Sequence, residues 1–191
     1  MNVGEEIVAA YLQYVRHCEF IQQNLYTPDV QGEIDVVGIN LKKKELYVCE
    51  VAVHLTTGLR YVKDRQPNNV QKLTDKFGKD IEYAKKYFHG YKMHFMLWSP
   101  IVKSSGLDTK HDQMRDIEHI RTNIKSKHKV EIDFVINEKF SECLAELRKC
   151  AAIETKESKS VILRYMQVEH YLNHHLKNIE RKNLLKKPTS R

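Results

Sequence analysis

Two acidic residues stand in apolar, strand-like surroundings, and they are the residues of this chain best placed to do chemistry. Asp35 lies in Gly32-Glu33-Ile34-Asp35-Val36-Val37-Gly38, and Glu50 lies in Leu46-Tyr47-Val48-Cys49-Glu50-Val51-Ala52-Val53-His54. A carboxylate among apolar side chains is costly to bury unless it meets a cation or a hydrogen-bond donor. One tight, basic turn, Asn40-Leu41-Lys42-Lys43-Lys44, separates the two segments, so a hairpin sets the acids facing each other. Two converging carboxylates suit a hard divalent cation such as Mg²⁺ or Mn²⁺. Such an ion can hold a phosphate and activate a water, which is the basis of metal-assisted phosphodiester cleavage.

The neighbours of the two acids follow from the period of each element. Strand side chains alternate, so Glu50, Ala52 and His54 share a face, as do Glu33 and Asp35. An imidazole can act as a base, an acid or a metal ligand, so His54 is a candidate for each of these roles. Residues 4–16 repeat as an amphipathic helix with Val8, Tyr11, Leu12 and Val15 on one stripe. Glu5 lies about 70° from the centre of that stripe at roughly 100° per residue, whereas Glu6 points nearly opposite. Glu5 is therefore the better partner for a site on the sheet.

The elements that must hold these residues can be read along the chain. Phe20–Leu25 reads as a first strand ended by Thr27-Pro28-Asp29, with strands at 33–39 and 45–54 after it. Residues 55–67 read as a polar loop, closed by Asn68 or Asn69 as a helix cap. The clearest helix spans 69–89, where Val70, Leu73, Phe77, Ile81, Ala84 and Phe88 keep one stripe until Gly90. Tyr91–Leu97 is a buried strand. A helix at 111–126, a strand at 129–136 and helices at 138–153 and 160–180 complete the chain. This order predicts an α/β fold with a mixed central β-sheet flanked by helices. The domain division is 1–155 for the α/β domain and 156–191 for a C-terminal helical extension with a basic tail, joined at the polar stretch Lys156–Ser160. The last helix could cover the sheet, form a dimer surface or contact nucleic acid.

Composition narrows the function classes. The chain has 191 residues, 30% charged and 41% hydrophobic, which suits a folded globular protein rather than a disordered one. Its apolar runs fall short of a bilayer span, and Glu5 and Glu6 interrupt any early signal-like region, so the expectation is a cytoplasmic protein with no membrane partner. The net charge is +7, much of it from Lys177, Arg181, Lys182, Lys186, Lys187 and Arg191 against Glu180. A basic patch suits a polyanion such as DNA or RNA, or it is a solvated tail. Cys18, Cys49, Cys143 and Cys150 form no CxxC pair and read as reduced core residues. His170 and His174 read as surface residues, and neither a phosphate-binding glycine loop nor a serine-histidine pairing is visible.

Over roughly residues 1–100 the chain resembles the restriction-endonuclease-like, or PD-(D/E)XK, nuclease superfamily. The matching residues are Gly4-Glu5 opening a helix, Gly32-Glu33-Ile34-Asp35 opening a strand, and Leu46–Ala52 in the next strand. The resemblance implies a restriction-endonuclease-like core with extra C-terminal helices and a Mg²⁺- or Mn²⁺-dependent nuclease acting on nucleic acid, with DNA the expected substrate. It implies that Asp35, Glu50 and the carbonyl of Val51 bind the metal, and that Glu5 addresses the ion's water shell or a second ion.

One departure stands out. The superfamily places a lysine two residues after the second acid, and here that position is Ala52. Some members supply the lysine from the following helix, where Lys72 and Lys76 are the candidates. By helical phase Lys76 lies about 105° from the stripe centre and Lys72 about 140°, so Lys76 is the first choice and Lys72 the second. The alternative is a catalytically inactive nucleic-acid-binding module of the same fold, and a third reading is an interaction protein whose C-terminal helices form a homodimer or partner surface.

Overall fold

The computed structural model describes residues 2–104 and 112–185. The elements are α1 (Val3–Tyr14), β1 (Phe20–Thr27), a 3-10 turn (Pro28–Val30), β2 (Gly32–Asn40), β3 (Glu45–Val51), β4 (Val62–Lys63), β5 (Gln66–Pro67), α2 (Asn69–Tyr87), β6 (Lys92–Ser99), α3 (Gln113–His128), β7 (Ile132–Ile136), α4 (Asn137–Ile153) and α5 (Val161–Leu185). The main sheet has five strands in the order β1-β2-β3-β6-β7. The β1/β2 and β2/β3 pairs are antiparallel, and β3/β6 and β6/β7 are parallel. The α/β class and the mixed sheet thus agree with the sequence.

Helices cover both faces. Val36, Tyr47, Cys49, Val51, Met96 and Trp98 pack against α1, α4 and the start of α5. Val37, Leu46, Val48, Ala52, Phe95 and Leu97 pack against α2 and α3. Strand β3 lies in the middle of the sheet, and Leu46 through Val51 are all buried. A strand covered on both faces is expected to be almost continuously apolar, and Glu50 is the charged exception. Leu163 and Met166 of the segment assigned to a C-terminal extension belong to the core on the α1 side.

Local chemistry explains the geometry around the hairpin. The Asn40 side chain accepts the Lys43 amide at 2.8 Å, and Lys44 takes a positive φ of 51°, which turns the chain sharply between β2 and β3. Asn40 also donates to the Arg16 carbonyl at 2.9 Å, tying the end of α1 to this corner. At the other end of α1, a Cβ on Gly4 would come within 2.4 Å of Val53 and 2.9 Å of Val51. The glycine is what lets the helix start directly over the end of β3.

Most boundaries shift by one to three residues from those expected from the sequence, and four differences bear on the site or on the chain's ends. Strand β3 ends at Val51, not at 54. Ala52 still donates to Trp98 O at 2.8 Å, but Val53 and His54 leave the ladder as the chain turns outward. The 55–67 loop contains the short β4/β5 hairpin. Helix α3 begins at Gln113, capped by the Asp112 side chain on the Arg115 amide at 3.0 Å, while residue 111 lies outside the described residues. Helix α5 runs to Leu185, and Lys186, Lys187 and Arg191 of the basic tail also lie outside them. The four cysteines are unpaired, three of them buried. No helix among the described residues is long and apolar enough to cross a membrane.

Candidate active site

The β2/β3 ladder is paired from Asn40↔Glu45 to Val36↔Cys49. One step further in the same register stand Asp35 and Glu50, where the pairing stops. Strand β2 is irregular there. Ile34 and Val37 both pack on the α2 side, whereas Val36 packs on the α1 side, so strict alternation is broken between 34 and 36. Opposite this break, Asn24 of β1 has a positive φ of 51° and drops out of the β1/β2 pairing. Such a distortion re-aims a side chain, and the side chain re-aimed is Asp35. Glu50 follows Leu46 and Val48 on the α2 face of β3.

The carboxylates meet a lysine. Lys76 Nζ lies 2.8 Å from Asp35 Oδ1 and forms a second ion pair with Glu50 Oε2. Asp35 Oδ2 accepts the Val51 backbone N–H at 2.7 Å, which fixes the carboxylate plane. Side-chain exposure falls from 30% for Lys76 to 15% for Asp35 and 3% for Glu50, so the cluster is open at the lysine and closed at Glu50. Burial opposes the Lys76 ammonium, but the negative charges of Glu50 and Asp35 outweigh it and hold its pKa above the ordinary lysine value. Burial, with Asp35 and Asp80 beside it, pushes the Glu50 carboxyl well above the usual carboxylate range.

Asp80 is the residue that the sequence reading did not assign to the site. It lies one turn beyond Lys76 on α2, is 1% exposed, and its carboxyl is raised to about 6, chiefly by burial. Neither Glu50 Oε1 nor Asp80 Oδ2 meets an N–H or hydroxyl donor, and the two carboxyls lie close enough to hydrogen-bond each other when one holds a proton. A signal was present in the sequence, since Asp80 falls three residues after Phe77 and four before Ala84, within the apolar stripe.

Tyr61, not one of the candidates above, and the remaining sequence-predicted residues sit at different distances from this cluster. Tyr61 borders it, and its phenol pKa is raised by burial while it also feels Lys76, Glu50 and Asp35. Lys72 is not on the carboxylates; its ammonium stands over the Tyr61 ring at 4.5 Å. His54 is exposed, edge-on to Tyr61 at 5.7 Å between ring centres. The expectation that His54 shares the face of Glu50 does not hold, because β3 ends three residues earlier. Glu5 accepts hydrogen bonds from Asn2 at 2.6 Å and from Asn24 at 3.1 Å, so it touches β1 opposite Asp35 rather than the ion pair itself. Glu6, expected to point away, also reaches β1, at Gln23. Ala52 is 2% exposed and packs in the α2-side core.

Asn69 braces the loop beside the site. Its side chain accepts the Tyr61 amide at 2.7 Å and donates to Leu59 O at 2.9 Å and Asp116 at 2.7 Å. The helix cap position itself belongs to Asn68, without a side-chain bond. Beside the ion pair, a groove of about 380 Å³ runs along α2, lined by Lys63, Lys72, Lys76 and Lys79 together with Glu33, Asp75 and Asp80. A larger depression of about 550 Å³ lies elsewhere, between Lys85, His94 and Lys129, and holds none of the candidate acids.

The donor set can be tested against a divalent ion. Among the described residues no cluster of three or more histidine, cysteine, aspartate or glutamate side chains is arranged to hold a metal. Mg²⁺, however, is commonly held by one or two carboxylates, with waters and substrate phosphates completing its shell. Asp35 and Glu50 supply hard oxygens of that kind, and Glu50 Oε1 is a buried oxygen that no N–H or hydroxyl reaches. The residues therefore fit the ion. No family model, curated protein or solved structure matches the chain.

Proposed function

We propose that this protein is a divalent-metal-dependent nuclease on a restriction-endonuclease-like core, hydrolysing phosphodiester bonds in nucleic acid, with DNA as the substrate. One observation carries the reading. Lys76 comes from the helix after β3 and pairs with both Asp35 and Glu50, so the two acids and a lysine converge even though Ala52 occupies the strand position where the superfamily has its lysine.

Asp35 and Glu50, with the Val51 carbonyl, would hold Mg²⁺ or Mn²⁺. When bound, the ion supplies Lewis-acid polarisation of the phosphate and a more acidic water. The chain's own groups do the rest. The Val51 N–H keeps Asp35 oriented, so the acid does not have to reorganise on binding. Lys76 stays protonated near neutral pH and acts as a charge and donor toward the phosphate, not as a proton acceptor. Water attacks phosphorus and gives up a proton to solvent, the bond to the leaving oxygen breaks, and that oxygen takes a proton from solvent. Lys63, Lys72 and Lys79 line the adjoining groove and would contact phosphates, which positions a strand without reading its sequence. Glu5, through Asn24, and His54, through Tyr61, border the site as supporting groups.

The test is incubation of the protein with plasmid, linear duplex and single-stranded DNA in Mg²⁺ or Mn²⁺, beside Glu50→Ala, with the metal-induced shift of Tm measured in parallel. Metal-dependent cutting and a Tm rise, both lost in the variant, are the expected result. Salt-sensitive binding with no cutting of any substrate would overturn the enzyme reading in favour of a binding module, which the buried, apolar setting of Ala52 would then explain.

A further inference from the structure

Helix α5 carries two faces of unlike fate. Leu163, Met166 and Gln167 turn inward and are buried. Gln167 donates to Glu154 O at 3.0 Å and Lys156 O at 2.7 Å, locking the start of the helix to the connection from α4. On the opposite side Val161, Tyr165, Val168, Leu172 and Ile179 face solvent, from 41% exposed at Ile179 to 69% at Tyr165. Together with His175 these positions recur at alternating steps of four and three, the spacing of a two-helix seam. The helix is 25 residues long, roughly 37 Å at the α-helical rise. From Val168 to Asn183 every residue is exposed except the half-buried Asn178. A helix standing free over that length is marginal on its own in water.

The flanks of the stripe say what covers it. In a parallel pair of identical helices, the position just before one seam residue faces the position five further along on the partner. Those positions here are Arg164 and Glu169, of opposite charge, followed by Tyr171 and Leu176, both apolar and about half exposed. Arg164 now pairs with Glu157 at 2.7 Å, and Glu169 lies 3.8 Å from Arg148. Such exposed pairs are weak and exchange readily. We infer that the outer face of α5 is a self-association surface, on which a second copy of this chain docks its own α5 in parallel to form a homodimer. His175 lies in the seam and faces its own counterpart, the kind of single polar seam position that fixes register.

The experiment is sedimentation equilibrium of the full chain over a wide concentration range, with circular dichroism to confirm that each surface variant folds. The wild type is expected to be a dimer. Leu172→Glu should weaken it on the order of a hundredfold or more, since two apolar side chains are lost and two charges face each other. Glu169→Arg should weaken it roughly tenfold, the scale of two exposed ion pairs, and adding Arg164→Glu should restore it. His175→Cys should cross-link under mild oxidation. A monomer at every concentration overturns the inference, and its co-sedimentation with anionic vesicles would assign the face to a lipid surface instead. A dimer indifferent to Leu172→Glu overturns the surface. Failure of both the charge exchange and the cross-link overturns the parallel arrangement. None of these readouts depends on nuclease activity.

Discussion

Lys76 and Asp35 are 41 positions apart in sequence, and their side chains meet at 2.8 Å. The contact is made possible by two helix turns between the start of α2 and Lys76, which bring the ammonium down to the level where β2 and β3 stop pairing. The same helix delivers Lys72 one turn earlier to the Tyr61 ring. Two lysines of one helix are thus given two environments, one between acids and one over an aromatic face.

This difference predicts separable phenotypes. Lys76→Met should lower the single-turnover rate of metal-dependent cleavage by about a hundredfold to a thousandfold, the usual cost of removing a preorganised charge at the reacting centre. DNA affinity should change little. Lys72→Ala should leave the single-turnover rate near wild type, weaken binding and reduce the salt slope by roughly one. Equal rates for Lys76→Met and wild type would remove Lys76 from the chemistry.

Asp80 gives a pH signature in metal-free protein. Its carboxyl is raised from 3.8 to about 6, chiefly by burial. A raised carboxyl favours the folded state when protonated, so its contribution is complete below 3.8 and lost as pH rises through about 6. Glu50 is shifted in the same direction. Asp80→Asn removes this titration while keeping the shape. In chelator, urea denaturation should show the variant gaining stability relative to wild type across that window. A difference that stays flat with pH would contradict the burial assigned to Asp80.

Ala52 is a packing position, being 2% exposed in the core against α2. Restoring the strand lysine by Ala52→Lys should therefore cost about 1–3 kcal/mol through overpacking alone, and more if the ammonium finds no partner. Thermal denaturation and cleavage assays together check this. A stable Ala52→Lys variant that rescues Lys76→Met would show that the strand position remains usable.

Asn69 holds three groups at once, the Tyr61 amide, the Leu59 carbonyl and Asp116. Asn69→Ala strands buried polar partners and should cost about 1–3 kcal/mol in urea unfolding. Because Tyr61 carries Lys72, the same change should also weaken DNA binding. A loss below the measurement error would mean that water replaces the amide.

The elements that repeat with a strict period were legible in the sequence. The stripe Leu73, Phe77, Ile81 and Ala84 announces α2, and the two apolar runs around a lysine-rich turn announce the β2/β3 hairpin, because periodicity and turn chemistry are local properties. Asp35 and Glu50 could be named for the same reason, as charged residues within apolar patterns, whereas Lys76 was singled out by the resemblance and ranked above Lys72 by helical phase. Three things were decided by tertiary structure alone. The end of β3 at Val51, which moves His54 away from the face of Glu50, comes where β2 has already stopped pairing, at Val36↔Cys49, and only β6 still holds the chain, at Ala52. The break in alternation at Ile34–Val36 lies opposite Asn24, whose positive φ is a feature of another strand. The burial of Asp80 beside Glu50 depends on how closely α2 lies against the sheet. Each is a relation between elements distant in sequence, and a helical or strand period carries no information about the depth or angle at which one element settles on another.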